Sequence, residues 1–228
     1  MSPVGARRRL AGEIIEHRNP DGGPHFSKLR TTGKSKPLEG KRIAILLTDG
    51  VEQSELTEPR KAFEKAGAKT ILISPAANTV QAMKHKEKGD TFKVDRPLNS
   101  VDPNDFDGLL LPGGVANPDE LRTNADAVSF VRTIFDSGKP IAAICHGPWM
   151  LVEADVVRGR TLTSWPSLKT DINNAGGTWT NREVVQDGQL TTSRKPDDIP
   201  AFVQAALAAF AAAPEETTLK GIIACLSK

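Results

Sequence analysis

The chain of 228 residues contains no tyrosine and only two cysteines, Cys145 and Cys225. Two cysteines exclude a disulfide framework as the source of stability, so the fold must rest on an apolar core. No apolar run approaches the ~20 residues that a bilayer-spanning helix needs. The early triplet Arg7-Arg8-Arg9 is followed only by Leu10-Ala11-Gly12 before Glu13. That segment lacks the apolar centre of a secretory signal, so the expectation is a cytoplasmic protein that does not engage a membrane. No basic stripe interleaved with aromatics is present, and nucleic acid is not an expected partner. No cysteine–histidine cluster has metal-ligand spacing, so neither a metal nor another cofactor is expected.

The net charge of +2 is unevenly spread. Residues 1–40 hold eight Lys/Arg against four Asp/Glu, whereas the remainder holds 22 against 24. The body is therefore slightly acidic, and the basic excess belongs to an amino-terminal extension. That extension mixes Gly, Pro, Arg and His without sustained periodicity and reads as poorly ordered or loosely docked. Residues 41–213 read as one domain, and residues 214–228 as a tail.

Within the domain, apolar strands alternate with helical segments. Strands are predicted at Arg42–Leu47, Thr70–Ile73, Asp107–Leu111 and Pro140–Ile144, with a short one at Thr161–Thr163. Helices are predicted at Glu55–Ala66, stopped by Gly67, and at Ala125–Asp136, capped by Asn124. Two more are predicted at Ser167–Ala175 and Ala201–Ala212. Val80–Val94 reads as a hairpin, and so does Val184–Thr191, with Asp187-Gly188 at its turn. Strands alternating with helices imply an α/β fold, a mostly parallel sheet covered on both faces.

One hexapeptide carries the chemistry: Ile144-Cys145-His146-Gly147-Pro148-Trp149. It follows the apolar strand ending at Ile144 and precedes a helical segment, Met150–Ala154. A cysteine on such a strand-to-helix turn is held out of the core, and the positive helix end favours its thiolate. This is the layout of a nucleophile elbow with cysteine in place of serine. The competing interpretation is a small buried hydrophobe. A second turn, Leu111-Pro112-Gly113-Gly114, ends another apolar strand, and in an open parallel sheet both turns converge on one crevice. The N–H groups of Gly114 and His146 are then the expected oxyanion donors, with Gly113 and Gly147 allowing close approach. Arg194 either closes one side of this pocket or makes a surface ion pair. Trp149 and Trp165 are expected to pack in the core near the elbow.

Taken together, Asp107–Gly114, Ala142–Pro148, Arg158–Thr163 and Thr192–Asp198 resemble the ThiJ/PfpI superfamily, and its PfpI branch in particular, from about residue 41 to residue 212. The resemblance implies a flavodoxin-like three-layer sandwich related to class I glutamine amidotransferases. It implies a homodimer, or a hexamer in some members. It makes Cys145 the nucleophile, His146 its partner and Glu55 the acid beside the cysteine. Asp119 matches the position whose carboxylate completes the triad from a neighbouring subunit; this chain has aspartate there where the founding peptidase has glutamate, with one extra residue before it. An Asp after proline reads equally as a helix cap. No histidine follows His146, so the downstream histidine–glutamate pair of a glutaminase cannot be supplied.

Three functions follow as expectations. The first is a stress-response enzyme acting on small carbonyl compounds or on glycated protein. The second is an intracellular cysteine peptidase using Cys145, His146 and Asp119. The third is a redox sensor or chaperone for unfolded protein in which Cys145 is oxidised. For the nucleophile to stay reactive, Glu55 is expected to be protonated, although a solvated loop carboxylate also fits its sequence context.

Overall fold

Alternating apolar runs set the order of the elements in this computed structural model, which describes residues 36–76 and 78–213. The extension up to residue 35, the tail from residue 214 and Cys225 lie outside the described residues. In chain order the elements are β1 (Arg42–Leu46), β2 (Val51–Glu52), α1 (Gln53–Lys65), β3 (Lys69–Ser74), β4 (Thr79–Lys84), β5 (Glu87–Lys93) and β6 (Arg96–Pro97). Then come β7 (Gly108–Leu111), α2 (Ala116–Leu121), α3 (Ala125–Asp136), β8 (Ile141–Ile144) and α4 (Trp149–Glu153). The chain continues with β9 (Thr161–Leu162), α5 (Lys169–Asn174), β10 (Thr178–Trp179), β11 (Val184–Asp187), β12 (Leu190–Ser193) and α6 (Ile199–Ala212).

The central sheet has the order β11-β12-β8-β7-β1-β3-β6. Its pairs are parallel except β11 with β12, the predicted hairpin. Buried strands obey a two-residue alternation that divides the core between two layers. Ala44 and Leu46 of β1, Leu109 of β7 and Ile141 of β8 pack with Phe130 and Ile134 of α3 on one face. Ile43, Ile45, Leu110 and Ala142 pack on the other face with Phe63 of α1 and Phe202 and Phe210 of α6. The result is the three-layer α/β sandwich, with the five principal parallel strands in flavodoxin-like order.

Some boundaries differ from the sequence reading, for physical reasons. Ala116–Leu121 is helical where the sequence reading places no helix; Pro118 sits early in α2, where its missing N–H removes no helical bond. The segment predicted as a helix from Ser167 opens with a tighter turn at Pro166–Leu168 before α5 begins. Leu38, within the segment read as an extension, is fully buried, and its N–H donates to the Ala66 carbonyl at 2.9 Å.

The strand order positions the site. From β1 the chain moves outward to β3 and then returns to the other side of β1 as β7. The carboxyl ends of β1 and β7 therefore part around a crevice, the usual ligand position in an open α/β sheet. The turn after β7, the elbow after β8 and the start of α1 all face it.

Candidate active site

Cys145 sits at the end of β8 with φ of +61°, a left-handed conformation that costs a non-glycine residue about 1–2 kcal/mol. The surroundings enforce it. The Cys145 N–H donates to Ser193 of β12 at 3.1 Å, and its carbonyl accepts from Trp165 N–H at 2.9 Å. Gly147 closes the turn by donating to the Ile144 carbonyl at 2.8 Å. The sharp bend folds two consecutive side chains together, so that Cys145 Sγ lies 3.2 Å from His146 Nδ1. On the other side of the ring, His146 Nε2 is 3.4 Å from Ser167 Oγ. Trp165 stacks on the imidazole at 5.9 Å, and Trp149 contacts it at 5.3 Å. Asp171 fixes the Trp149 ring by accepting from its Nε1 at 2.8 Å.

Glu55 approaches from α1. It is fully buried, and its Oε2 accepts from the Gly113 N–H at 2.8 Å. Gly113 is squeezed between the two functional side chains: a Cβ there would lie 2.5 Å from Glu55 Oε2 and 2.7 Å from the Cys145 Cβ. Gly114 has φ of +83°, and a Cβ on it would collide with the Gly50 carbonyl. Both glycines are thus required for this turn to lie against the sulfur.

Asn117 holds that turn in place. Its Nδ2 donates to the carbonyls of Pro112 and Gly113, both at 3.0 Å, and its Oδ1 accepts from Thr48 N–H at 2.7 Å. One buried amide therefore ties the carboxyl ends of β1 and β7 across the crevice. Asn117→Ala leaves two carbonyls and one N–H without these partners. A loss of about 3 kcal/mol is expected, seen as a lower urea midpoint at unchanged m-value.

The protonation states follow from burial. Removal from water pushes the Glu55 carboxyl up to about 8, and Glu52 adds to the push against the opposing Gly113 N–H and Cys145 thiol. Burial also pushes the Cys145 thiol up, and charge on Glu55 pushes it further; the N–H groups of His146 and Gly114 pull it back. Burial lowers His146 below its ordinary 6.5. At neutral pH the resting trio is a carboxylic acid, a thiol and an uncharged imidazole. Burial of the sulfur thus works against the thiolate that the following helix favours. α4 spans only Trp149–Glu153, about a turn and a half, and its dipole works against the desolvation of the sulfur.

The remaining site residues lie apart. Asp119 is exposed on α2 and makes no side-chain hydrogen bond among the described residues, neither to His146 nor as a helix cap. Arg194 is engaged by Asp198 at 2.8 Å and by Asn181 at 2.9 Å, the ion-pair alternative. Trp165 is 40% exposed and does not pack in the core. Ser167 and Asn117 belong to no motif, and only the folded chain brings them to the site. Among the described residues no group of three His, Cys, Asp or Glu is placed to hold a metal, and no helix is long and apolar enough to cross a membrane.

The profile of the DJ-1/PfpI family matches residues 41–209. The chain is 46% identical over 168 residues to "Protein/nucleic acid deglycase 2" of Escherichia coli, covering 73% of this chain and 96% of that protein. It is 41% identical over 162 residues to "Putative cysteine protease YraA" of Bacillus subtilis, covering 71% and 94%. The crystal structure of Drosophila melanogaster DJ-1beta superposes with a TM-score of 0.67 at 27% identity, covering 82% of this chain and 97% of that one.

Proposed function

This chain belongs to the DJ-1/PfpI family, and from that premise we propose that it is a cysteine hydrolase acting on reactive carbonyls, glyoxals or their early adducts on proteins, in a stress response. Cys145 is the nucleophile and His146 its proton partner. The observation that carries this reading is the 3.2 Å contact of Cys145 Sγ with His146 Nδ1 beside the buried Glu55 carboxyl. The similarity to a protein named as a deglycase supports the substrate class.

In this reading the uncharged imidazole takes the thiol proton as Sγ forms a bond to the aldehyde carbon. The carbonyl π pair becomes an alkoxide, stabilised by the N–H groups of Gly114 and His146, and recovers the proton from His146. The product is a hemithioacetal. With methylglyoxal, loss of the aldehyde C–H proton and its return at the neighbouring carbon turn the adduct into a lactoyl thioester. Water then releases lactate and restores the thiol. One water is consumed overall, and no external oxidant or reductant is needed.

The test is lactate formation from methylglyoxal by the purified chain, with Cys225→Ala alongside. Turnover that survives Cys225→Ala but is lost on alkylation of Cys145 supports the reading. Absence of turnover while Cys145 remains readily alkylated overturns it and favours peptide hydrolysis or redox sensing.

The peptidase alternative requires a carboxylate on His146, and Asp119 must then come from a second copy in a homodimer or larger ring. Asp119→Asn separates the two chemistries. Lactate formation is expected to change by less than about twofold, whereas a triad-dependent peptidase loses on the order of 10³–10⁴-fold on such a change. A comparable loss of lactate formation would return Asp119 to the catalytic set.

A further inference from the structure

A pocket of about 310 Å³ opens at the amino-terminal ends of β1 and β3, lined among others by Arg42, Arg60, Lys69 and Arg96 together with Asp95 and Asp105. β1, β3 and β8 run parallel in one sheet, and Cys145 follows the carboxyl end of β8. The pocket therefore opens beside the end of the sheet opposite the one that carries the thiol, and nothing in the proposed reaction uses it.

Its charges are poorly compensated. Arg60 is held by Glu64 at 2.9 Å. The Arg42 guanidinium lies 5.4 Å from the centre of the Phe106 ring, and Arg96 donates to the Ser100 carbonyl at 3.0 Å. Among the described residues neither of these, nor Lys69, has a carboxylate within 4.0 Å. Of the two lining carboxylates, Asp95 accepts from the Leu72 N–H at 2.9 Å, and Asp105 makes no side-chain hydrogen bond among the described residues.

The backbone adds a donor. β6 pairs only with Ile73 and Ser74, so the first half of β3 is an open edge. Leu72 turns its N–H and carbonyl outward to Asp95. The two-residue repeat of a strand turns those of Thr70 to the same side, where the pocket lies.

We propose that this pocket binds a diphosphate group, either free or carried by a nucleotide. Arg42, Lys69 and Arg96, none with a carboxylate within 4.0 Å among the described residues, outnumber the lining Asp95 and Asp105, and with an outward N–H they converge on a concavity of the size used for small ligands. Guanidinium groups bind phosphate oxygens bidentately, and a lysine adds a point charge. Two linked phosphates reach several of these groups at once, which a single monovalent anion does not. Both lining carboxylates oppose the anion; Asp105, which among the described residues has no hydrogen-bond donor on its side chain, is the one whose charge can be removed without breaking a contact.

The experiment is isothermal titration of the full chain with pyrophosphate and with ADP at low salt. Both are expected to bind one per chain. Lys69→Ala combined with Arg96→Ala is expected to weaken both by at least about tenfold, and Asp105→Asn to tighten both by about threefold. Lys69, Arg96 and Asp105 are exposed, so the variants keep the core intact. Alkylation of Cys145 should leave the affinities unchanged. Equal affinity assigns recognition to a free diphosphate, and tighter ADP binding identifies the nucleotide as the source. Absence of pyrophosphate binding, affinities unmoved by the double substitution, or binding lost on Cys145 alkylation would each overturn the assignment.

Discussion

Cys145→Gly and Cys145→Ala are both expected to lose carbonyl turnover by at least about 10⁴-fold, yet the glycine variant is expected to melt higher than the alanine variant. Both substitutions delete the sulfur that forms the covalent adduct, so neither retains a route through the hemithioacetal. They differ in the backbone. With φ at +61°, residue 145 occupies a conformation that costs any side-chain-bearing residue about 1–2 kcal/mol. Glycine removes that strain but returns about 0.5–1 kcal/mol through the greater entropy of its unfolded chain. At mid-range, about 1.5 against about 0.75 kcal/mol, the strain is the larger of the two, leaving a net gain of about 0.5–1 kcal/mol for glycine. For a chain of this size that is about 1–4 °C in Tm. Paired calorimetric scans of the two variants decide the matter. If alanine melts at or above glycine, the elbow is not a strained element held for function.

That strain also explains which parts of the site were legible in the sequence. The strands around residues 43–46, 109–111 and 141–144 announce themselves as apolar runs, because strands buried on both faces leave no room for polar alternation. The elbow is legible through Gly147 and Pro148, which mark a sharp turn after a strand. The contact between Cys145 and His146 is not, since consecutive side chains on an extended backbone point apart. Only the left-handed residue folds them together. Asn117 gives no signal in the sequence because its role lies wholly in contacts, and only the folded chain reveals two carbonyls and an N–H around its amide. The four cations of the pocket come from β1, α1, β3 and β6, and no linear pattern gathers them. The sequence shows the helix that follows Cys145 but not the depth at which its sulfur is buried.

Glu55→Gln is expected to flatten the pH dependence of both stability and turnover. In the native state the Glu55 carboxyl is raised from 4.5 to about 8, so between these values the folded chain holds a proton that the unfolded chain has released. Stability therefore falls as pH rises through this window. The contribution is fully present below about 4.5 and is lost as pH passes about 8, a change on the order of 5 kcal/mol. Glutamine carries no titrating proton: its carbonyl oxygen can still accept from Gly113, while its amide N–H faces the sulfur. Urea midpoints of the natural chain should thus decline from pH 5 to pH 9 much more steeply than those of Glu55→Gln. Turnover follows the same group. Above about pH 8 an ionised Glu55 places a negative charge beside Cys145 and pushes the thiol further from ionisation, so kcat/KM falls on the alkaline side. In Glu55→Gln this descending limb should disappear, while the acid limb set by protonation of His146, below 6.5, remains. Glu55→Ala, which supplies no hydrogen bond to the sulfur and leaves the Gly113 N–H without its acceptor, should instead lower turnover at every pH. An alkaline limb that persists unchanged in Glu55→Gln would assign it to another group and remove Glu55 from the proton inventory of the site.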